Sequence, residues 1–281
     1  MSNLDSRQRF TFDDTDVRGE LVGLHKSLSA VLSKHNYPDV LKVELGKLMA
    51  ASALMSATLK YEGRLCLQVR LPGDVSLIQA ETTNTGELRA IARYDESKEI
   101  NSVELKGGHL VITLEPAVGK PYQGIVPLEG NHLNEAFEYY FKQSEQLGSR
   151  FWLECDGTIA SGFMLQQLPA AEGSDEDAWD RLSHLASTLK DEELLTLNNE
   201  TILHRLYHDE EVRLYDEENL HFACTCSKIR TGNAITQLGY RELMDVIAEH
   251  GKVSIDCQFC LQHYSFNKEQ VGDLFPEKKL H

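Results

Sequence analysis

The chain has 281 residues, an apolar share of 41% and a formal net charge of −16, which suffices for a folded core and for two or three compact units. No run of about 18 apolar residues occurs, so a helical membrane span is excluded. The opening MSNLDSRQRFTFDD has no apolar stretch behind its charges, so no secretory signal is expected and the expected location is cytoplasmic. There, clustered cysteines serve as metal ligands or redox thiols rather than as structural disulfides.

Residues 1–168 read as an α+β unit. Pro38 is followed by a long apolar helix, predicted over Asp39 to Tyr61, with Leu41, Leu45, Leu48, Ala51, Met55 and Leu59 at three- and four-residue steps. Alternating strands follow in RLCLQVRL, SLIQAETT and HLVITLEP, separated by Gly, Pro and Asn. A second helix is predicted from Asn131 to about Leu147, with Leu133, Ala136, Phe137, Tyr140 and Phe141 on one stripe. Phe151 to Cys155 and Thr158 to Leu168 flank Asp156-Gly157 and predict a hairpin closed by a tight type I′ turn.

Residues 169–221 change character. Ser174 and Asp177 suggest a capping box, and Trp179, Leu182, Leu185, Ala186 and Leu189 recur at helical spacing behind them. A further amphipathic piece, Asn199 to His208, carries Ile202, Leu203, Leu206 and Tyr207. Between Ala170 and Leu220 fifteen acids face four bases, a local charge of −11. Helices this short are marginal alone and the acid repels itself. The segment is therefore expected to be a metastable helical linker, ordered only while its apolar stripes are docked.

Residues 222–281 form a small module: CTCSKIR, a helix over YRELMDVIAEH, and a hairpin in KVSIDCQFCLQHYSF. Cys224, Cys226, Cys257 and Cys260 make C-x-C, thirty intervening residues, then C-x-x-C, which matches a closed four-thiolate zinc site with one Zn²⁺ per chain. The large apolar groups available to the module, Phe222, Ile229, Leu238, Leu243, Ile247, Phe259 and Phe266, are few. Structural zinc supplies roughly 10–16 kcal/mol in comparable peptides and would hold such a module folded. C-x-C is an unusual half-site, because alternate side chains of an extended strand point to opposite faces, so a local turn must bring both sulfurs round. In a zinc tetrahedron the sulfurs lie roughly 3.8 Å apart, against about 2.05 Å in a disulfide. Oxidation of either pair is thus incompatible with full ligation, and the site has the chemistry of a redox latch.

The residues alone leave several readings open: a purely structural zinc ribbon, a zinc-ribbon adaptor for nucleic acid or transcription, a thiol–disulfide oxidoreductase, and a redox-gated switch. The module holds seven acids and seven bases, and with the acid linker it offers no basic face for phosphate, so no nucleic-acid or membrane partner is expected. No nucleophile elbow, phosphate-binding glycine loop or dinucleotide fingerprint occurs, so the chain is not expected to be an enzyme. Cys66 and Cys155 read as small buried strand residues. His204 and His208, four apart on a helix, lack the acid pattern of a zinc-protease motif.

DVRGE (Asp16 to Glu20), LMAASALMSATLKYEGRL (Leu48 to Leu65), YQGIVPLEG (Tyr122 to Gly130), YYFKQSEQL (Tyr139 to Leu147), ILHRLY (Ile202 to Tyr207) and the CTCS…CQFC pair together make the chain resemble, over nearly its whole length, the heat shock protein 33 family of bacterial redox-regulated chaperones. Gly148-Ser149 departs from the Pro-Thr common in that family, and Cys66 and Cys155 lie outside its motif. The resemblance implies an N-terminal chaperone core, a redox-responsive linker and a zinc module ligated by Cys224, Cys226, Cys257 and Cys260. It implies disulfides Cys224–Cys226 and Cys257–Cys260 on oxidation, zinc release, linker unfolding, a homodimer, and ATP-independent holding of unfolded client proteins. Trp179, Leu182, Leu206 and Tyr207 are then candidate residues for linker docking and client contact. The smaller ring closed by Cys224–Cys226 is the more strained, so Cys257–Cys260 is expected to oxidise first.

Overall fold

The structure is a computed structural model and describes residues 4–58, 62–169, 175 and 177–275. Chain contacts divide it between Ala223 and Cys224 into two units.

The first unit opens with strands β1 (Ser6–Phe12) and β2 (Val17–Leu24), then helices α1 (Lys26–Leu32) and α2 (Asp39–Ser56). Five strands follow: β3 (Gly63–Arg70), β4 (Val75–Thr83), β5 (Glu87–Tyr94), β6 (His109–Pro116) and β7 (Tyr122–Pro127). Helix α3 (Leu133–Tyr140) continues as one π turn, Phe141–Glu145, and leads into the pair β8 (Ser149–Cys155) and β9 (Ala160–Gln167). Three short helices, α4 (Ala178–Ala186), α5 (Asp191–Thr196) and α6 (Asn199–Tyr207), precede β10 (Val212–Asn219) and β11 (His221–Phe222). The strands form two sheets, ordered β10-β1-β2-β9-β8 and β11-β5-β4-β3-β6-β7. The fold is α+β, as the sequence predicts.

Helix α2 explains the layering. Leu41, Leu45, Leu48 to Met55 and Ser56 are all buried, so it is apolar nearly all round and must be covered on every side. Its core is shared with Val22, Leu24, Phe151 and Met164 of one sheet and with Leu65, Leu67, Ile78, Ala90 and Ile112 of the other. Gly46 permits the closest approach: a Cβ there would lie 2.4 Å from Cys155 Sγ. The helix is shorter than predicted. Ala57 and Thr58 donate to Leu54 and Met55 three residues back, tightening the last turn at Ser56; residues 59–61 lie outside the described residues.

Side chains alternate across β1 and β2, so the five-stranded sheet has a second apolar face. Phe10, Phe12, Val17, Leu21, Phe163 and Leu165 form it, and onto it pack Ala178, Leu182, Ala186, Leu189, Leu194, Ile202, Leu203, Leu206 and Tyr207. Phe10 stacks on Phe163 at 5.6 Å, and Tyr207 meets Phe12 edge-on at 4.8 Å. Gly19 makes room for this: a Cβ would fall 1.9 Å from Phe10 Cζ. Gly148, where the chain departs from the Pro-Thr pattern, lies under Trp179, whose ring would be 3.2 Å from an added Cβ.

Two local expectations are corrected, and a third is not tested. The hairpin between β8 and β9 is closed by four residues, not two, because Cys155 pairs with Ala160; the Asp156 carboxylate accepts from the Thr158 and Ile159 amides and builds a wider turn. The segment 169–221 is not helical throughout, since β10 pairs antiparallel with β1 from Ser6↔Asn219 to Phe12↔Val212. The Ser174 capping box falls outside the described residues, and α4 starts behind Asp177 with no side-chain cap.

The second unit contains α7 (Lys228–Ile235), α8 (Tyr240–His250), the hairpin β12 (Val253–Asp256) with β13 (His263–Phe266), and α9 (Lys268–Asp273). Among its described residues the buried apolar ones are Ile235, Leu243, Ile247, Val253, Phe266 and Val271. Phe222 instead belongs to the first unit, and Ile229 and Leu238 are exposed, so the module's core is small and differently composed from the one predicted.

Leu182 is fully buried and its carbonyl accepts the Tyr207 hydroxyl at 3.2 Å. Leu182→Ala should cost about 2–5 kcal/mol of docking; urea unfolding of the reduced protein should show a lower midpoint, and an unchanged midpoint would place the helices' stability elsewhere.

Candidate metal centre

The four cysteines come from two short segments, one at the start of the module and one between β12 and β13. After Phe222 the chain leaves strand pairing, and Cys224 to Ser227 run without regular structure into α7. Two bonds fix this run. Ser227 Oγ caps α7 by accepting the Arg230 amide at 3.2 Å, and Arg230 Nη1 donates to the Thr225 carbonyl at 3.0 Å. The second segment is the connection between β12 and β13. The Leu261 amide donates to the Cys257 carbonyl at 2.8 Å, and the Cys257 amide donates to the Gln262 carbonyl at 3.0 Å. Leu261 takes a left-handed conformation, φ 61°, which curls the loop tightly enough to turn Cys257 and Cys260 to the same side.

The sulfurs converge. Cys224 Sγ lies 3.6 Å from Cys257 Sγ, Cys226 Sγ lies 3.4 Å from Cys260 Sγ, and all four ligand atoms are within 4.8 Å of one another. A zinc tetrahedron with bonds of about 2.3 Å has edges of roughly 3.8 Å, so the donor set fits a divalent soft metal in both chemistry and spacing. Among the described residues this is the one such cluster of three or more metal-ligating side chains. His204 and His208 stack their rings at 6.3 Å on the exposed side of α6 and join no such cluster.

The electrostatics point the same way. Burial, and then the three neighbouring sulfurs, push the Cys260 thiol up to about 12, against the lowering effect of the Gln262 amide. That thiol therefore keeps its proton unless a cation compensates it. Tyr264, opposite Ile255 in the hairpin, donates its hydroxyl to Cys226 Sγ at 3.1 Å, and this bond is the first cause of its own rise to about 12. Tyr264 is a partner that the sequence did not announce; the only signal was a tyrosine four residues beyond the C-x-x-C in a predicted strand.

The other two thiols are different in kind. Cys66 on β3 and Cys155 on β8 are buried in the first unit, and burial pushes them up to about 12 and about 11. They are protonated packing groups at neutral pH. Of the linker residues singled out, Leu182, Leu206 and Tyr207 are buried together on the Phe10–Phe12 face, while Trp179 is half-buried at its edge.

Two measurements follow. A thiol must give up its proton to ligate, so zinc binding should release protons and weaken as pH falls; calorimetry in buffers of differing ionisation heat checks this, and identical heats would contradict it. Tyr264→Phe should weaken metal retention by about tenfold, the low end for lost outer partners, as read by competition with a chromophoric chelator.

Comparison with known proteins agrees with this construction. The family model described as "Hsp33 protein" matches residues 5–267. The "33 kDa chaperonin" of Pseudomonas syringae pv. syringae is 48% identical, the alignment covering 97% of this chain and 94% of that protein. The "33 kDa chaperonin" of Pseudomonas aeruginosa is 47% identical over 98% of this chain and 96% of its own. The crystal structure of the 33 kDa chaperonin, a heat shock protein 33 homolog, from Thermotoga maritima superposes with a TM-score of 0.81, covering 99% of this chain and 100% of that one at 21% identity, a likeness of fold. With its converging cysteines, its two packed sheets and relatives this similar along their whole length, the chain belongs to the Hsp33 family of chaperones.

Proposed function

We propose that the chain is a redox-gated, ATP-independent holdase: closed when its four cysteines are reduced and hold zinc, open when they are joined as disulfides. The observation that carries this reading is the convergence of four sulfurs in a module whose buried apolar core has six residues among those described. Zinc, when bound, keeps the thiolates deprotonated and contributes folding free energy of order 10–16 kcal/mol in peptides of this kind.

The sulfurs do the rest. A peroxide takes two electrons from one thiolate to give a sulfenic acid, and the neighbouring thiolate displaces its oxygen as water. Joining Cys224 to Cys226 and Cys257 to Cys260 draws each pair to about 2.05 Å, a geometry in which neither pair serves a tetrahedron. A core that small then lacks the stability to stay folded. The chain running back from Cys224 through β11, β10 and the linker helices loses its far anchor. Its −11 charge and short helices favour melting. Melting bares Phe10, Phe12, Leu21 and Phe163 on the sheet, and Trp179, Leu182, Leu206 and Tyr207 on the linker, as apolar surface for unfolded polypeptide. In this reading residues 1–168 are the chaperone core and dimerisation region, 169–221 the linker and 222–281 the switch, and the oxidised chain is a homodimer in the cytoplasm. The acidic net charge keeps client complexes soluble.

The test is suppression of thermal aggregation of an unfolding enzyme by reduced and by oxidised protein side by side. Strong suppression by the oxidised form alone is expected; equal activity of the reduced, metal-loaded form would overturn the reading. Peroxide at heat-shock temperature should also lower far-ultraviolet helicity as zinc is lost, and unchanged dichroism with full metal loss would break the proposed coupling. In partly oxidised samples mass spectrometry should find Cys257–Cys260 closed before Cys224–Cys226, whose ring is smaller.

A further inference from the structure

Strand β10 holds its place by main chain more than by side chain. None of its eight side chains is fully buried, and only Val212 and Leu214 are half-buried; they lie beside Phe12 and Phe10 in the register. Asp216, Glu217 and Glu218 fill its second half with like charge. The pairing is also irregular: between Gln8 and Phe10 the register shifts by a bulge, which the Gln8 side chain bridges to the Tyr215 carbonyl at 2.8 Å. β10 is thus a sequence-tolerant and imperfect occupant of the β1 edge.

The edge beneath it is preformed. β1 pairs with β2 without a shift from Ser6↔Gly23 to Thr11↔Arg18. At its start, Asp5 accepts from the His25, Lys26 and Ser27 amides and the Ser27 hydroxyl. Arg7 is buried and donates to Ser56 Oγ and the Asn84 carbonyl as well as to Glu218, so two of its partners stay when Glu218 leaves. The Asp13 amide donates to the Glu211 carbonyl and the Leu220 amide to the Asp5 carbonyl. By the two-residue period of a strand, the amides of Arg7, Arg9 and Thr11 therefore face β10, while those of Gln8, Phe10 and Phe12 face β2.

We propose that the β1 edge vacated by β10 captures an extended segment of the unfolded client by main-chain strand addition. This rests on the reading that the linker is released on oxidation. Strand addition takes its affinity from backbone hydrogen bonds and asks little of sequence, which suits a chaperone that must hold many proteins. The register adds one requirement, apolar side chains at alternate positions to lie beside Phe10 and Phe12. β10 meets it with Leu214 and Val212 but brings the acid run Asp216 to Glu218 behind them; an apolar segment meets it without that run, and it would pair through Arg9 without the bulge.

The experiment is residue-resolved amide exchange on the full chain, with reduced, carboxymethylated α-lactalbumin as a permanently unfolded probe. Arg7 and Thr11 amides should be protected in the reduced metal-loaded protein, exchange fast after oxidation, and slow again by about tenfold with probe at ten times its dissociation constant. The amides of Gln8 and Phe10 should stay protected throughout. If oxidised protein suppresses aggregation while Arg7 and Thr11 stay fast with probe bound, strand addition is wrong and the holdase reading stands. If these amides slow with rising protein concentration and no probe, a second copy takes the edge and the proposal falls. If they never lose protection, β10 does not leave and the proposal falls; absence of aggregation suppression in the same sample would take the holdase reading with it.

Discussion

Three short helices, with a net acidic burden, keep their shape only while their apolar faces rest on Phe10, Phe12 and Phe163. That dependence organises the molecule. Isolated helices of six to nine residues do not persist in water, so their order is borrowed from the sheet. Internal ties such as Arg205 to Glu193 and Arg181 to Glu210 join residues at or near the surface and add little. Leu182, Leu206 and Tyr207 are buried in this docking together with Leu189, Leu194, Ile202 and Leu203.

The route of the chain ties this docking to both ends of the first unit. β10 completes one sheet and β11 adds to the other, with Leu220 buried between them. The first cysteine follows β11 by two residues. The segment that leads into the module thus stitches both sheets, and the proposed coupling needs no wire through the core. Buried Arg7 shows the arrangement at one residue: its guanidinium is shared between elements that stay, through Ser56 and Asn84, and one that belongs to the linker, through Glu218.

Much of this was legible in the sequence, and the misses have physical causes. The cysteine spacing, the apolar α2, the amphipathic stretches at 178–207 and the α8-hairpin order read directly, because each is a periodic or spaced signal. β10 did not, because VRLYDEEN looks like a solvated acid run; an edge strand needs only its backbone and two apolar residues. α7 was hidden by Gly232 and Asn233 inside it, and the glycine is there because a Cβ would crowd Leu274 at 3.0 Å. The Asp-Gly pair suggested a two-residue turn, but the Asp156 carboxylate finds two amides in a longer one. At the site, the four ligands were legible and Tyr264 was not, since its approach to Cys226 is set by hairpin register rather than by spacing.

The central claim is that stability held at the metal is spent in keeping the linker down. The most direct measurement is hydrogen exchange of the α4 to α6 amides in zinc-loaded protein and in protein stripped by a chelator, with every thiol kept reduced in both. Loss of protection across 178–207 on stripping alone is the predicted result. Equal protection in the two samples would contradict it, because the linker would then be indifferent to whether the module is anchored.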